Sequence, residues 1–377
     1  MHRALLLCVL AVTLAAQLPE GEWRTDLSRK SIDLKELHIS LAKDAIPAID
    51  RPTFTTTQQA ATWMDEQEPV MVYEGEHTAR AYPIQILLFH ELVNDTVDGR
   101  PILVSYCPLC NSGVIFDRTV AGAVHDFGVA GLLRHSDMVM YDRQTDSLWQ
   151  QVTGEAIVGT HTGRRLTPIT GQMVAFAVFA ATFPGGEVLD RPAGSTAPYG
   201  TSLYTDYEYG RRGLLPAGLP HAPPVAPLER VVTVSVGGKR KAYTFESLRR
   251  SRVYEDRIGD QRFVIFFSPE MRTAMDKKNI ADSRAVGAAG VFSLQLNGKR
   301  LRFMKKKGRI IDKGTRSTWN VLGRAIDGPL SGQRLTPVPH GILFAFAVSA
   351  FHPDTRFIGV PPRPDELFNA PGPRSPR

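Results

Sequence analysis

The sequence predicts an α+β fold, rich in β-strand, built from two pseudo-symmetric tandem units. Each unit is expected to form a small barrel-like or sandwich-like sheet with one or two helices. Three observations lead to this prediction: motifs that occur twice in the same order, many short segments rich in β-branched and aromatic residues, and a few apolar stripes with helical spacing. A chain of 377 residues is long enough for about two such domains.

The repeated motifs are the strongest of these observations. Five pairs of segments match in the same order along the chain: Ala81–Ile84 with Ala242–Phe245, Ile102–Cys110 with Phe263–Met271, Tyr141–Arg143 with Ile311–Lys313, Trp149 with Trp319, and Gly163–Pro168 with Gly332–Pro337. Chance produces one such match easily, but hardly all of them in one order. We therefore interpret the sequence as an internal duplication.

Within the first unit, most segments have the composition of strands and two have the spacing of helices. The predicted strands are Pro101–Tyr106, Gly113–Phe116, Val124–Val129, Met138–Tyr141 and Ile157–Gly159. The predicted helices carry apolar stripes, namely Ile84, Leu88 and Leu92 in the first and Phe176, Phe179 and Phe183 in the second. This mixture is why each unit is expected to be β-rich with few helices.

These patterns divide the chain into five parts. They are a signal peptide (1–16), a first unit with an N-terminal arm and a CxxC motif (17–190), a connector rich in proline, glycine and tyrosine (191–229), a second and degenerate unit (230–360), and a disordered tail (361–377). A connector with four tyrosines is expected to pack over the surface, since free linkers seldom carry so many aromatic residues.

The N-terminus has the features of a secretory signal. Met1-His2-Arg3 is a short basic region, and Ala4 to Ala16 is an apolar run too short to span a bilayer. Ala15 and Ala16 are small residues, as expected where a signal peptidase cuts. The protein is therefore expected to be exported to the periplasm, the cell envelope or the extracellular space. No later run reaches about 18 apolar residues, so no transmembrane helix is predicted after cleavage.

The net charge of +7 is unevenly distributed along the chain. Residues 1–227 carry 17 Lys and Arg against 25 Asp and Glu, a balance of −8, whereas residues 228–377 carry 28 against 13, a balance of +15. The basic C-terminal half is expected to face either the acidic N-terminal half or an anionic surface. No nucleic acid partner is predicted, because the basic run at Lys305 to Arg309 lacks interleaved aromatic residues.

The motif Cys107-Pro108-Leu109-Cys110 follows a predicted strand and has three interpretations. It is a structural disulfide, a redox-active pair, or half of a metal site for zinc or copper. A thioredoxin fold is not expected, because Asn111 to Arg118 has the pattern of a turn and a strand, not of a helix. As no second cysteine pair follows, histidines would have to complete a metal shell.

Three histidines of the first unit are candidates for that shell, namely His90, His125 and His135. Glu91 stands beside His90 at the end of a predicted helix, and a histidine next to a carboxylate is suited to be a base or a ligand. Each of these residues also has an ordinary interpretation as a surface or helix-face residue. Asp117-Arg118 and Asp142-Arg143 follow strand ends and suit turn capping.

The second unit indicates which residues the fold itself needs. Asp142, Arg143 and Trp149 recur as Asp312, Lys313 and Trp319, which favours a structural role, such as a turn with an ion pair and a core indole. The reactive residues do not recur: the positions of Cys107, Cys110, His90 and Glu91 hold Ser268, Met271, Ser251 and Arg252. Any site of chemistry is therefore expected in the first unit.

Common catalytic motifs are absent from the sequence. We find no phosphate-binding glycine loop, no Gly-x-Ser-x-Gly elbow and no His-Glu-x-x-His helix, which argues against nucleotide enzymes, serine hydrolases of that type and the common metalloproteases. Two hypotheses of function remain. The first is an exported protein of unknown activity with a Cys107/Cys110 metal or redox site. The second is a non-catalytic envelope or extracellular binding protein in which these cysteines form a structural disulfide.

Five motifs together resemble one known family. They are His90–Thr96, Tyr106–Cys110, Phe116–Arg118, Ser136–Arg143 and Gly154–Gly159. The combination is similar to the domain family of unknown function 3179, found in bacteria and archaea, and the resemblance runs from about Arg24 to Ile358. It implies export or envelope association and no known reaction. The chain departs from the family pattern at His135, where an asparagine is expected, and at Asn111-Ser112-Gly113; neither departure disturbs the cysteine motif.

Overall fold

The predicted β-rich α+β class is confirmed. The computed structural model describes residues 22–210 and 219–359, so the predicted signal peptide, the whole predicted tail and part of the predicted connector lie outside the described residues. Of the described residues, 42% are in strands and 12% are helical, and the strands form several small sheets. Among the described residues, no helix is both long enough and apolar enough to cross a membrane.

The first unit consists of many short strands and three helices of one or two turns. In chain order they are β1 (Leu37–Ile39), β2 (Phe54–Thr56), α1 (Thr57–Ala60), β3 (Pro69–Glu74), β4 (Ala79–Pro83), α2 (Ile84–His90), β5 (Leu92–Val97), β6 (Arg100–Cys107), β7 (Ser112–Asp117), β8 (Thr119–Val120), β9 (Ala123–Val124), β10 (Phe127–Arg134), β11 (Asp137–Asp142), β12 (Leu148–Gln150), β13 (Glu155–Val158), β14 (Thr167–Ile169), β15 (Gln172–Ala175), α3 (Phe176–Thr182) and β16 (Glu187–Leu189).

The second unit likewise consists mainly of short strands, with one helix near each end. Its elements are β17 (Arg230–Val236), β18 (Lys239–Thr244), α4 (Phe245–Ser251), β19 (Val253–Ile258), β20 (Gln261–Ser268), β21 (Ala288–Ser293), β22 (Gln295–Leu296), β23 (Lys299–Arg300), β24 (Phe303–Lys306), β25 (Arg309–Asp312), β26 (Thr318–Trp319), β27 (Ala325–Asp327), β28 (His340–Phe344), α5 (Ala345–Phe351) and β29 (Arg356–Ile358). Single 3-10 turns occur at Leu34–Glu36, Tyr207–Tyr209 and Ile280–Asp282.

Three sheets of the first unit have counterparts in the second. The order β15-β3-β4-β16, with β4 and β16 parallel, matches β28-β17-β18-β29, with β18 and β29 parallel. The meander β5-β6-β7 matches β19-β20-β21, and β10-β11-β12-β13 matches β24-β25-β26-β27. Because the same order recurs around equivalent short helices, this topology supports the proposal of an internal duplication.

The helix α2 ends earlier than its apolar stripe predicts. Ile84 and Leu88 lie in the helix and are buried, but Leu92 already belongs to β5. The chain turns at Glu91, which has a positive φ of 56° while its N–H still donates to the carbonyl of Leu87. In the second unit, Arg252 ends α4 in the same way with a φ of 64°.

One predicted strand is wrong in its extent. The segment Val124–Val129 is not a single strand: β9 ends at Val124, and β10 begins at Phe127 and continues to Arg134. At the interruption the N–H of His125 donates to the carbonyl of Arg118, which redirects the chain. The other predicted strands correspond to β6, β7, β11 and β13, with differences of one or two residues at their ends.

The two units share one large buried core. Its members include Tyr82 and Phe179 from the first unit and Phe266 and Phe292 from the second. Ion pairs also cross between the units: Glu74 pairs with Arg324 and with Arg334, the latter at 2.8 Å, and Asp65 pairs with Arg272 at 3.5 Å. These contacts support the interpretation that the acidic and basic halves face each other.

Candidate metal centre

The two cysteines lie in the hairpin that joins β6 to β7. Cys107 is the last residue of β6 and is opposite Ser112, so Pro108 to Asn111 form a four-residue loop. Proline presets the φ angle for the start of such a turn, and Asn111 takes the positive φ of 49° that asparagine tolerates well. This local geometry holds both thiols on one loop, where they come within 4.0 Å of each other as free cysteines.

The third member of the cluster is Asp137, the first residue of β11. One oxygen of Asp137 and the sulfur atoms of Cys107 and Cys110 all lie within 4.8 Å of one another. Asp137 Oδ2 accepts hydrogen bonds from Gln150 Nε2 at 2.6 Å and from the N–H of Val152 at 3.0 Å. These two bonds fix the carboxylate, and Oδ1 is buried without a hydrogen-bond partner of ordinary geometry among the described residues.

Glu91 adds a second buried carboxyl group to this region. It is 6% exposed, and its position at the end of α2 follows from the positive φ described above. Burial and the charge of Asp137 raise the pKa of Glu91 to about 8. Burial raises the pKa of Asp137 to about 6, although hydrogen bonds from Val152 and Gln150 and the nearby thiols oppose this shift.

Burial also dominates the chemistry of the thiols. It raises the pKa of Cys107, and the charges of Asp137 and Glu91 add to that effect. It raises the pKa of Cys110 even further, with Cys107 as the next contributor. Among the described residues, no salt bridge reaches Asp137 or Glu91. The cluster therefore combines two thiols and two carboxyl groups in a buried place. Neither water nor a paired cation stabilises the negative charge of their ionised forms there.

The cysteine loop is covered by the connector and by the second unit. Tyr207 of the connector donates its hydroxyl to the carbonyl of Leu109 at 2.8 Å. The N–H of Phe344, at the end of β28, donates to the carbonyl of Cys110 at 2.9 Å. The rings of Tyr207 and Phe344 pack against each other, and Cys107 and Cys110 belong to the same buried cluster. The loop is thus enclosed by two other parts of the chain, the connector and β28.

The comparison with protein families confirms the resemblance seen in the sequence. The family model described as "Protein of unknown function (DUF3179)" matches residues 43–355, which is most of the chain. The chain belongs to the DUF3179 family. No curated protein and no solved structure matches it. The family description names no activity, so a function can be inferred only from the geometry of this DUF3179 chain.

The structure does not bring His90 to the thiols of this DUF3179 protein. His90 Nδ1 lies 2.8 Å from the carbonyl oxygen of Pro47, and Nε2 lies 2.6 Å from the hydroxyl of Tyr199. Both ring nitrogens are therefore engaged away from the cysteine loop. Burial lowers the pKa of His90, so the ring is held neutral between a proline carbonyl and a connector tyrosine.

The other predicted residues lie in separate places. His135 Nε2 is 3.2 Å from a carboxylate oxygen of Glu36, and its ring packs on Phe351. Asp117 accepts from the N–H of Thr119 at 3.0 Å and from Arg100, which is the predicted turn capping. Arg118 donates to the carbonyl of His125 at 3.0 Å and pairs with Asp126 at 2.6 Å.

His125, Asp142 and Trp149 lie close to one another, in a different place from the cysteines. His125 and Asp142 form a second cluster with His161, a residue that the sequence did not single out. Trp149 is fully buried and donates its indole N–H to Asp142 Oδ2 at 2.9 Å. Arg143 does not pair with Asp142; its guanidinium reaches Asp44 at 3.4 Å and Asp50 at 3.3 Å.

The second unit lacks every acidic or thiol group of the cysteine cluster. Ser268 and Met271 stand at the cysteine positions, and Arg252 stands at the position of Glu91. The turn between β24 and β25 is Lys307-Gly308, and both residues take a positive φ as His135 and Ser136 do in the first unit. Arg309 therefore follows the turn where Asp137 does. The signal that would have found Asp137 from sequence is this exchange of an acid for a base between the repeats.

Proposed function

We propose that this protein is an exported zinc-binding protein whose metal ion is held by Cys107, Cys110 and Asp137. The observation that carries the proposal is the convergence of two thiols and one unpartnered carboxylate oxygen within 4.8 Å in a fully buried place. Thiolate sulfur and carboxylate oxygen are both established zinc ligands. Glu91 is the candidate for a fourth ligand or for a group that holds the others in place.

Zinc fits the donor set better than copper(I) does. Copper(I) is soft and prefers sulfur ligands, whereas zinc is borderline and accepts sulfur together with carboxylate oxygen. A divalent ion also supplies a positive counter-charge to these buried acidic groups, which no salt bridge among the described residues provides. Because the loop lies beneath Tyr207 and Phe344, the proposed ion has a structural role, joining the hairpin to β11 near the contact with the second unit.

The redox interpretation has less support. A thiol that exchanges rapidly is partly exposed and has a lowered pKa, whereas both of these thiols are buried and have raised pKa values. A disulfide requires the sulfur atoms to approach to about 2.05 Å, and these cysteines are free and 4.0 Å apart. In an oxidising compartment, bound metal would keep such a close pair of thiols reduced.

The test is the metal content of the purified full-length protein. We expect about one equivalent of zinc, lost in Cys107→Ser, Cys110→Ser and Asp137→Asn. His90→Ala is the matched control: this residue is the immediate neighbour of Glu91, but both of its nitrogens are engaged elsewhere, so zinc should be retained. Mass spectrometry before and after mild reductant counts the thiols. A stable disulfide with no bound zinc would contradict the proposal and favour the non-catalytic binding protein.

Export is the second part of the proposal and rests on residues 1–16. If the signal is functional, the mature N-terminus should lie just after Ala16, and the protein should be recovered from the periplasm or the medium. N-terminal sequencing of that fraction checks this expectation. A cytoplasmic protein with an intact N-terminus would contradict export without affecting the zinc site.

A further inference from the structure

A second group of potential ligands lies on the sheet β10-β11-β12-β13 of the first unit. One ligand atom each from His125, Asp142 and His161 lies within 4.8 Å of the others. His125 immediately follows β9, Asp142 ends β11, and His161 follows β13, so three separate segments converge. Asp142 is five residues beyond Asp137 on one strand, which is about 16 Å at the usual rise. The two clusters are therefore distinct.

Each of the two histidines has a ring nitrogen that is available as a ligand in the cluster with Asp142. His125 Nδ1 lies 3.1 Å from the carbonyl oxygen of Ala123, which only accepts, so Nδ1 carries the proton and Nε2 has the lone pair. His161 is 9% exposed, and its Nε2 is buried without a hydrogen-bond partner among the described residues. Burial is the main cause that lowers the pKa of His161, which favours its neutral form. A buried polar atom without a partner destabilises the folded state, and a bound metal ion would remove that cost.

Asp142 is held in a fixed orientation. Its Oδ1 accepts from the N–H of Thr145 at 2.7 Å, and its Oδ2 accepts from the indole N–H of Trp149 at 2.9 Å. The ring of Trp149 also contacts that of His161, and the two histidine rings meet edge to face with centroids 5.2 Å apart. Hydrogen bonds of this kind orient the ligands of metal sites and raise their basicity.

The second unit keeps the aspartate and tryptophan but replaces both histidines by leucine. Asp312 accepts from Thr315 and from Trp319, as Asp142 does from Thr145 and Trp149. The N–H of Leu330 donates to Ser317 Oγ at 2.9 Å, just as that of His161 donates to Ser147 Oγ at 3.1 Å.

Leu301 occupies the place of His125. Its N–H donates to the carbonyl of Leu294, and that of His125 donates to the carbonyl of Arg118. Leu301 and Leu330 both pack against the core. This fold therefore accepts apolar side chains at the two positions, and the histidine pair of the first unit is an addition that the architecture does not require.

We propose that His125, Asp142 and His161 form a second metal site, which binds a divalent first-row transition ion through two imidazoles and one carboxylate. Imidazole and carboxylate ligands suit zinc, iron(II), cobalt(II) and nickel(II), whereas they suit the soft copper(I) poorly. The cysteine cluster and this site thus differ in the chemistry of their donors. The inference does not depend on whether the cysteines bind zinc.

Cobalt(II) is the probe that separates the two sites, because thiolate ligands give it an intense near-ultraviolet charge-transfer band that imidazole and carboxylate do not. The full-length protein is stripped with chelator, titrated with cobalt(II), and assayed for bound metal. We expect His125→Leu/His161→Leu, which installs the residues of the second unit, to lose one equivalent and keep the thiolate band. Cys107→Ser/Cys110→Ser should lose the band and retain one equivalent.

A His125→Leu/His161→Leu variant that binds as much cobalt(II) as the wild type would overturn the second site. If the folded Cys107→Ser/Cys110→Ser variant binds no cobalt(II) at all, the second site is also overturned. That result would still agree with a metal site at the cysteines. If a variant does not fold, the wild type still decides the question by histidine-ring NMR during a zinc titration. The signals of His125 and His161 should move together while those of His90 and His135 stay; unmoved signals would refute the proposal.

Discussion

Replacing Glu208 by glutamine is expected to lower the free energy of unfolding by about 3–5 kcal/mol. Glu208 lies in the connector and is almost fully buried, and its carboxylate binds Arg230, Arg284 and the hydroxyl of Thr273. The side chain of Arg230 is only 7% exposed and also donates to Thr273 Oγ1 at 2.8 Å. An amide at position 208 leaves this guanidinium buried without its counter-charge, which is costly.

Urea denaturation of the full-length protein measures this effect. The matched control is Glu246→Gln, because Glu246 also pairs with an arginine, Arg250, but both side chains are largely exposed. An exposed pair of this kind contributes about 0.3–0.5 kcal/mol. A loss below about 1 kcal/mol in Glu208→Gln would show that the connector is not held by this ion pair. The neighbouring Tyr207 covers the cysteine loop, so the same variant should also weaken zinc binding.

Replacing Glu91 by glutamine is expected to stabilise the metal-free protein at pH 8 by about 4 kcal/mol. The pKa of Glu91 rises from 4.5 to about 8 on folding, because the carboxyl is buried near Asp137. Between these two values the folded protein binds more protons than the unfolded chain does. Its stability therefore falls as the pH rises from 4.5 to 8, and the glutamine variant should lose most of that slope.

Unfolding of chelator-treated protein at several pH values measures the slope, and the exposed Glu246→Gln should leave it unchanged. In zinc-loaded protein the sign should reverse, because protons compete with the metal for its ligands and binding strengthens as the pH rises. Equal slopes in Glu91→Gln and wild type would mean that Glu91 ionises as freely in the folded protein as in the unfolded chain. A slope that zinc leaves unchanged would count against the cysteine site.

The local parts of this molecule could be predicted from sequence. The strand before the cysteines was expected at Pro101–Tyr106 and extends over Arg100–Cys107, because its β-branched and aromatic residues determine it locally. The end of α2 could not be predicted: the stripe continues to Leu92, whereas the chain turns at Glu91 into a positive φ that glutamate seldom adopts.

The candidate sites, too, could be predicted from the sequence only in part. The proximity of Cys107 and Cys110 follows from their spacing, but Asp137 reaches them only through the arrangement of sheets. His161 lies 36 residues after His125, and no periodicity relates the two. His90 precedes the cysteine strand in sequence, which predicts a place near the thiols, yet it ends α2 in contact with Pro47 and Tyr199.

The hydrogen bond from Phe344 to the carbonyl of Cys110 makes one amide of the second unit a reporter on the first. That proton can exchange with solvent only when the cysteine loop separates from β28, whereas the next amide, Ala345, donates to the carbonyl of Glu229. Ligation of Cys110 would slow deuterium uptake at Phe344 more than at Ala345. The ratio of these two exchange rates thus records loop opening and metal occupancy within a single molecule, without any substitution.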